Sequence, residues 1–200
     1  MILTKRQHEV LIGMILGDAC LEKNGNHVRV RIEHGMKQKD YIDWKYHEFE
    51  KLATDKPRMV RNYHSKVKKV YKGWRFSTYS NQVFDKYWKM FYSKGRKIIP
   101  PVTMQFLKSP LSLAIWSMDD GYKRNDCNAF RLSTDNFVKA EQENLRKCLK
   151  ENFKIKSCLH RKGKTWNIYI PQSEIKNFYK IITPYVIPSL KYKIILTRND

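Results

Sequence analysis

Two aspartates stand where chemistry could be done. An apolar run over residues 10–16 ends in Gly17-Asp18-Ala19, and a second over residues 111–118 ends in Asp119-Asp120-Gly121. Both runs read as helical, so each acid falls at a helix C-terminus. A carboxylate there meets the negative end of the macrodipole and is disfavoured. A bound divalent cation reverses that penalty. Mg2+ takes a few carboxylate oxygens, keeps several waters and suits phosphate chemistry. If the two helices pack side by side, Asp18 and Asp120 meet at their ends. Paired there, they would hold metal, polarise a phosphate and lower the pKa of an attacking water. Either acid of Asp119-Asp120 could reach such a metal; register with Asp18 favours Asp120.

The charge balance points to a polyanionic partner. Forty Lys and Arg against nineteen Asp and Glu leave 200 residues with a net charge of +21. That excess repels itself on folding, and nucleic acid relieves it with release of condensed counterions. An anionic membrane is the rival, but neither a long apolar run nor a basic amphipathic helix is present. Cys20, Cys127, Cys148 and Cys158 form no C-x-x-C pair and have no His at zinc-finger spacing. They are expected to be reduced thiols packed in the interior. The start M-I-L-T-K-R-Q-H lacks the apolar stretch of a secretory signal. The expectation is an intracellular protein, in an organelle or in bacterial or phage cytoplasm.

The elements around the acids occur twice. After each acid comes an alternating stretch, residues 27–33 and 128–134, expected as strands with one buried face. Helices are expected over 39–53 and 137–153, the second with an apolar stripe of Leu145, Cys148 and Leu149. Basic hairpins follow over 58–78, turning at Lys72-Gly73, and over 155–170, turning at Lys162-Gly163-Lys164. A further helix then leads to Ile98-Ile99-Pro100 or to Val186-Ile187-Pro188. The order α-β-β-α-β-β-α therefore repeats, with domains expected over 1–105 and 106–200. Gly13 and Gly17, one turn apart, allow a second backbone close to the first helix. Their counterparts Ile115 and Asp119 are bulkier, so the packing should be asymmetric. The tryptophans, Trp44, Trp74, Trp88, Trp116 and Trp166, lie among apolar neighbours and are expected in the core.

The segments L-I-G-M-I-L-G-D-A over 11–19 and L-A-I-W-S-M-D-D-G over 113–121 resemble the signature of LAGLIDADG homing endonucleases. Two copies followed by matching elements resemble the single-chain members. The resemblance implies an α+β fold of two pseudo-symmetric repeats. They form a saddle of antiparallel sheets with the two motif helices at its centre. It makes Asp18 and Asp120 catalytic and metal-binding, with Ala19 and Gly121 beside them at the metal. Mg2+ is the implied cofactor, with Mn2+ or Ca2+ able to substitute in binding. Family members place a basic residue near each active centre. Lys97, in Lys-x-x-Pro, and Lys193, after a tyrosine, match that context. The implied activity is a double-strand break with short 3′ overhangs in a long asymmetric DNA target, made by a monomer.

Arg and Lys on the strands would read that DNA, Arg by bidentate bonds to guanine and Lys mostly by phosphate contact. In the first half these are Arg29, Arg31, Lys66, Lys68 and Arg75. In the second they are Lys123, Arg124, Arg131, Lys156, His160 and Arg161. The alternative is an RNA maturase that keeps the fold as a surface for intron RNA. Retention of both acids favours cleavage.

Overall fold

The computed structural model describes residues 2–194. In chain order, α1 (Lys5–Leu16), β1 (Cys20–Asn24), β2 (His27–Gly35), α2 (Lys39–Phe49), β3 (Arg58–His64), β4 (Lys69–Ser77) and α3 (Gln82–Phe91) form one series. A hairpin of β5 (Tyr92–Ser93) and β6 (Arg96–Lys97) and a short α4 (Thr103–Phe106) follow. The second series is α5 (Pro110–Asp120), β7 (Gly121–Lys123), β8 (Phe130–Leu132), α6 (Lys139–Phe153), β9 (Cys158–Lys162), β10 (Thr165–Ile170) and α7 (Gln172–Ile182). The order α-β-β-α-β-β-α is realised in both. Two four-stranded antiparallel sheets result, β1-β2-β4-β3 and β7-β8-β10-β9.

These elements group into two compact units. One holds Met1–Gln7 and Asp18–Lys89; the other holds His8–Gly17 and Met90–Asp200. Within the first, β2 alternates strictly: Val28, Val30, Ile32 and His34 are buried, while Arg29, Arg31 and Glu33 are half-buried on the other face. Period-two alternation puts the first set against α2, whose Tyr41, Ile42, Lys45, Tyr46 and Phe49 are buried. The β3–β4 turn lies at Ser65–Val67, with Lys68 in the left-handed region at φ 50°. It is not at Lys72-Gly73. Gly73 is instead in register with Gly35 and Val60 in mid-sheet, where an added Cβ would fall 2.7 Å from the His34 carbonyl.

In the second unit, α5 is apolar all round and every residue from Leu111 to Met118 is buried. Ser109 starts it, its Oγ accepting from Leu111 N at 3.2 Å, with Pro110 in the first turn. Most of α1, together with Gly17, lies against it. An added Cβ at Gly13 would fall 2.6 Å from Ser112 O and 2.7 Å from Ile115 Cβ, and one at Gly17 would overlap the Asp119 side chain. Glycine and bulky partner thus face each other, as expected. Ser112 Oγ closes the contact by donating to Glu9 O at 2.6 Å.

Of the tryptophans, Trp116 is fully buried and the other four are half-buried. Lysine ammonium groups cover three of those rings: Lys23 over Trp88 at 4.3 Å, Lys39 over Trp74 at 4.9 Å and Lys139 over Trp166 at 4.8 Å. All four cysteines are free, but only Cys148 is buried, its thiol pushed up to about 11 by burial, and Cys127 is exposed. Among the described residues no helix is long and apolar enough to cross a membrane.

The β5–β6 hairpin, absent from the expected elements, turns through Lys94 (φ 49°) and Gly95 (φ 75°), the geometry of a tight primed turn. Its Arg96 makes bonds of 2.9 and 2.7 Å to Glu141, which also accepts from Val138 N at 2.9 Å and so closes the start of α6. Burial works against the Glu141 charge, but these bonds outweigh it and hold the carboxyl below its ordinary range.

Two outcomes follow. Gly13→Ala forces apart helices whose nearest atom is a backbone carbonyl. Denaturant unfolding should show a loss of about 1–3 kcal/mol or more. Because its folded pKa is depressed, Glu141 stabilises the fold above the ordinary glutamate value of about 4.3, and that contribution disappears as pH falls through the lowered value. The stability gap between wild type and Glu141→Gln should therefore be full at pH 7 and shrink below about pH 4.

Candidate active site

α5 ends where Asp119 and Asp120, both half-buried, enter an open cleft also lined by Gly121, Lys123, Ser133 and Lys193. Gly121 passes directly into β7, in register with Leu132. An added Cβ there would lie 2.5 Å from the Phe130 ring, so the residue after the acid has no room for a side chain. α1 ends in the same way: Gly17 follows its last turn, Asp18 is exposed, and the buried Ala19 leads into β1.

The two lysines reach the helix ends by different local structures. Lys97 sits on β6, and its Nζ donates to Gly17 O at 2.9 Å. Lys193 sits in a 3-10 turn, Pro188–Lys193, and its Nζ donates to Met118 O and lies 3.4 Å from Asp119 O. Last-turn carbonyls lack intrahelical partners and carry the negative end of the dipole, so an ammonium there is doubly favourable. Gly17 and Asp119 occupy the same motif position. Each acid-ended helix therefore has a lysine at its final carbonyls.

Asp18 begins the main stretch of the other unit, where His34 Nδ1 lies 3.4 Å from its Oδ2. His34 is 3% exposed, and its Nε2 is 2.9 Å from Nζ of Lys45, which is fully buried. Neither residue was singled out in the sequence. His34 was nevertheless legible as the next buried position after Val28, Val30 and Ile32.

The strand cations are held by acids. Glu22 Oε2 accepts from Arg29 Nε at 3.1 Å and its Oε1 lies 2.6 Å from Arg31 Nη1. Glu33 accepts from Arg75 Nε at 2.8 Å and also bonds Asn62. These six residues line one polar sheet face. Lys68 is at the exposed hairpin tip; the Lys66 side chain lies outside the described residues.

In the second unit, Arg131, His160 and Tyr169 cluster. The His160 and Tyr169 rings stack at 3.8 Å, and Arg131 Nη2 is 3.5 Å from His160 Nδ1. Burial, then the charges of Arg131 and Arg124, push the His160 pKa down. Arg124 pairs with Asp126 and holds that carboxyl down to about 2. Arg161, the neighbour of His160, projects from the opposite face and donates to Gly163 O at 3.0 Å. Lys156 lies apart from the strand face, in a groove beside Glu143 and Arg146 of α6. Glu22, Glu33 and Tyr169, which contact these cations, carry no signal of that role in the sequence.

A family model described as the LAGLIDADG DNA endonuclease family matches residues 8–178. The chain is 33% identical over 202 residues to cytochrome b mRNA maturase bI2 of Debaryomyces hansenii, covering 96% of this chain and 74% of that protein. It is 31% identical over 198 residues to probable intron-encoded endonuclease 1 of Wickerhamomyces canadensis, covering 96% and 85%. The solved structure of the homing endonuclease I-WcaI bound to its DNA recognition sequence superposes with a TM-score of 0.90 at 30% identity, covering 98% of this chain and 89% of that one. With two acid-ended motif helices, two four-stranded sheets in matching order and a family match over most of its length, the chain belongs to the LAGLIDADG DNA endonuclease family.

Proposed function

We propose that this chain is a site-specific DNA endonuclease of the intron- or intein-homing type. It acts as a monomer whose halves, residues 1–105 and 106–200, each supply one acid and one lysine. The observation that carries this reading is the repeated helix end: an aspartate at the terminus and a lysine on its last carbonyls, made twice. The pseudo-two-fold arrangement of the halves is part of the same proposal.

The donor set fits a hard divalent cation. Asp18 and Asp120 offer carboxylate oxygens at helix termini where a cation offsets the dipole, with the Ala19 and Gly121 backbones beside them. Mg2+ is the metal proposed, with Mn2+ or Ca2+ able to bind. When bound, it supplies Lewis-acid polarisation of the phosphate and a more acidic water. Lys97 and Lys193 place positive charge near each scissile phosphate and order solvent. Arg29, Arg31 and Arg75 on one face, and Lys123, Arg124, Arg131 and His160 in the other half, would contact the target. Lys66, Lys68, Lys156 and Arg161 serve the phosphates in this reading. Because these sets differ, the two half-sites need not match, and the double-strand break falls in an asymmetric sequence. The four free thiols suit a reducing intracellular setting.

The test uses the intron-free allele of the host gene as substrate, with Mg2+, beside Asp18→Asn and Asp120→Asn variants. Wild type should cut both strands, and the double variant should lose cleavage by more than roughly 100-fold. Full activity in the double variant would sink the site assignment. Lys97→Met and Lys193→Met should keep DNA binding in Ca2+ and slow cleavage by about 10–100-fold. A maturase relative makes RNA the second substrate to try. Tight binding of intron RNA with no nicking of DNA would replace the nuclease reading.

A further inference from the structure

The first unit contains a buried ammonium that the proposed chemistry does not use. Lys45 faces the sheet from α2 among Tyr41, Ile42, Tyr46 and Phe49 and is fully buried. Burying a charge is costly unless it is compensated. Its partners include His34 Nε2 at 2.9 Å and the face of Tyr41, whose centroid is 4.3 Å from Nζ. An ammonium has only donors, so Nε2 must accept and the neutral ring must carry its proton on Nδ1. That nitrogen points at Asp18 Oδ2, 3.4 Å away.

The matching places in the second unit hold other residues. Cys20, two residues past Asp18, is in register with Arg31; Tyr122, two past Asp120, is in register with Arg131. Three residues further on, His34 and Thr134 hold the same place. Thr134 Oγ1 donates to Gln142 Oε1 at 2.8 Å and accepts from Ile168 N at 3.2 Å, so its hydroxyl is directed inward. The helices begin alike, with Lys39 over Trp74 and Lys139 over Trp166, and counting from those lysines puts Leu145 where Lys45 stands. Threonine and leucine stand where the first unit has histidine and lysine.

Resting on the nuclease reading above, we propose that Lys45 and His34 form a positioning chain for Asp18 alone. Lys45 sets the His34 tautomer, and His34 N–H orients the Asp18 carboxylate. The contact is at the outer edge of hydrogen-bond length and tightens when substrate seats the carboxylate. In this arrangement His34 acts on Asp18 as a hydrogen-bond donor. The consequence is functional asymmetry: the strand served by Asp18 depends on this chain and the strand served by Asp120 does not.

Two measurements test it. In protein carrying 15N-histidine, the ring signal lost in His34→Asn should show the Nδ1–H tautomer in wild type and lose that fixed tautomer in Lys45→Met. An Nε2–H tautomer in wild type overturns the proposal. With target DNA labelled separately on each strand, Lys45→Met and His34→Ala should slow one strand by about 10–100-fold, accumulating a nicked duplex with the other rate unchanged. His34→Asn, whose amide N–H can stand where Nδ1–H stood, should restore much of that rate. Equal slowing of both strands, or no slowing, overturns the proposal. If His34→Ala fails to fold by circular dichroism, Lys45→Met and His34→Asn carry the comparison. If wild type cuts no DNA under any metal, the nuclease reading falls, and the tautomer measurement still decides whether Lys45 controls His34.

Discussion

The close approach of α1 to α5 is the constraint on which the second unit is built. At Gly13 the nearest atom of α5 is a backbone carbonyl, and at Gly17 it is the Asp119 side chain, so neither position has room for a single added carbon. That proximity is not an ordinary apolar contact between side-chain ridges. It brings the last turn of α1 to the residues that end α5, and the next residue after Gly17 is Asp18. Ser112, bonded to Glu9 O, satisfies a polar group that the contact would otherwise bury unpaired.

A helix end so placed has an electrostatic problem: several carbonyls point at a carboxylate. The two lysines answer it from unrelated local structures, a strand of a tight hairpin for Lys97 and a 3-10 turn for Lys193. Both ammonium groups reach the final carbonyls. A lysine stands at the end of each motif helix, but the secondary structure that delivers it differs.

The same economy of charge governs the sheet faces. A chain with a net charge of +21 would seem to leave its arginines loose, yet Glu22 holds Arg29 and Arg31, and Glu33 holds Arg75. Few acids are available, and several are spent orienting guanidinium groups. Each guanidinium is thereby fixed in orientation on its strand face.

The sequence by itself determined the repeat, the two acid-ended helices, the alternating face of β2 and the membership that follows from them. Each of these is local: an apolar period, a turn signal or a spacing that any folded context must respect. It misplaced the β3–β4 turn because Lys72-Gly73 resembles a turn, although Gly73 is there to let the His34 carbonyl approach. It did not show the β5–β6 hairpin, the acids that hold each arginine, or the Lys45–His34–Asp18 chain. Those depend on strand register and on which helix covers which face. Glu33 and Arg75, or Lys45, His34 and Asp18, lie far apart in the chain and meet only when strands pair and a helix closes over the sheet, so the folded arrangement decides them.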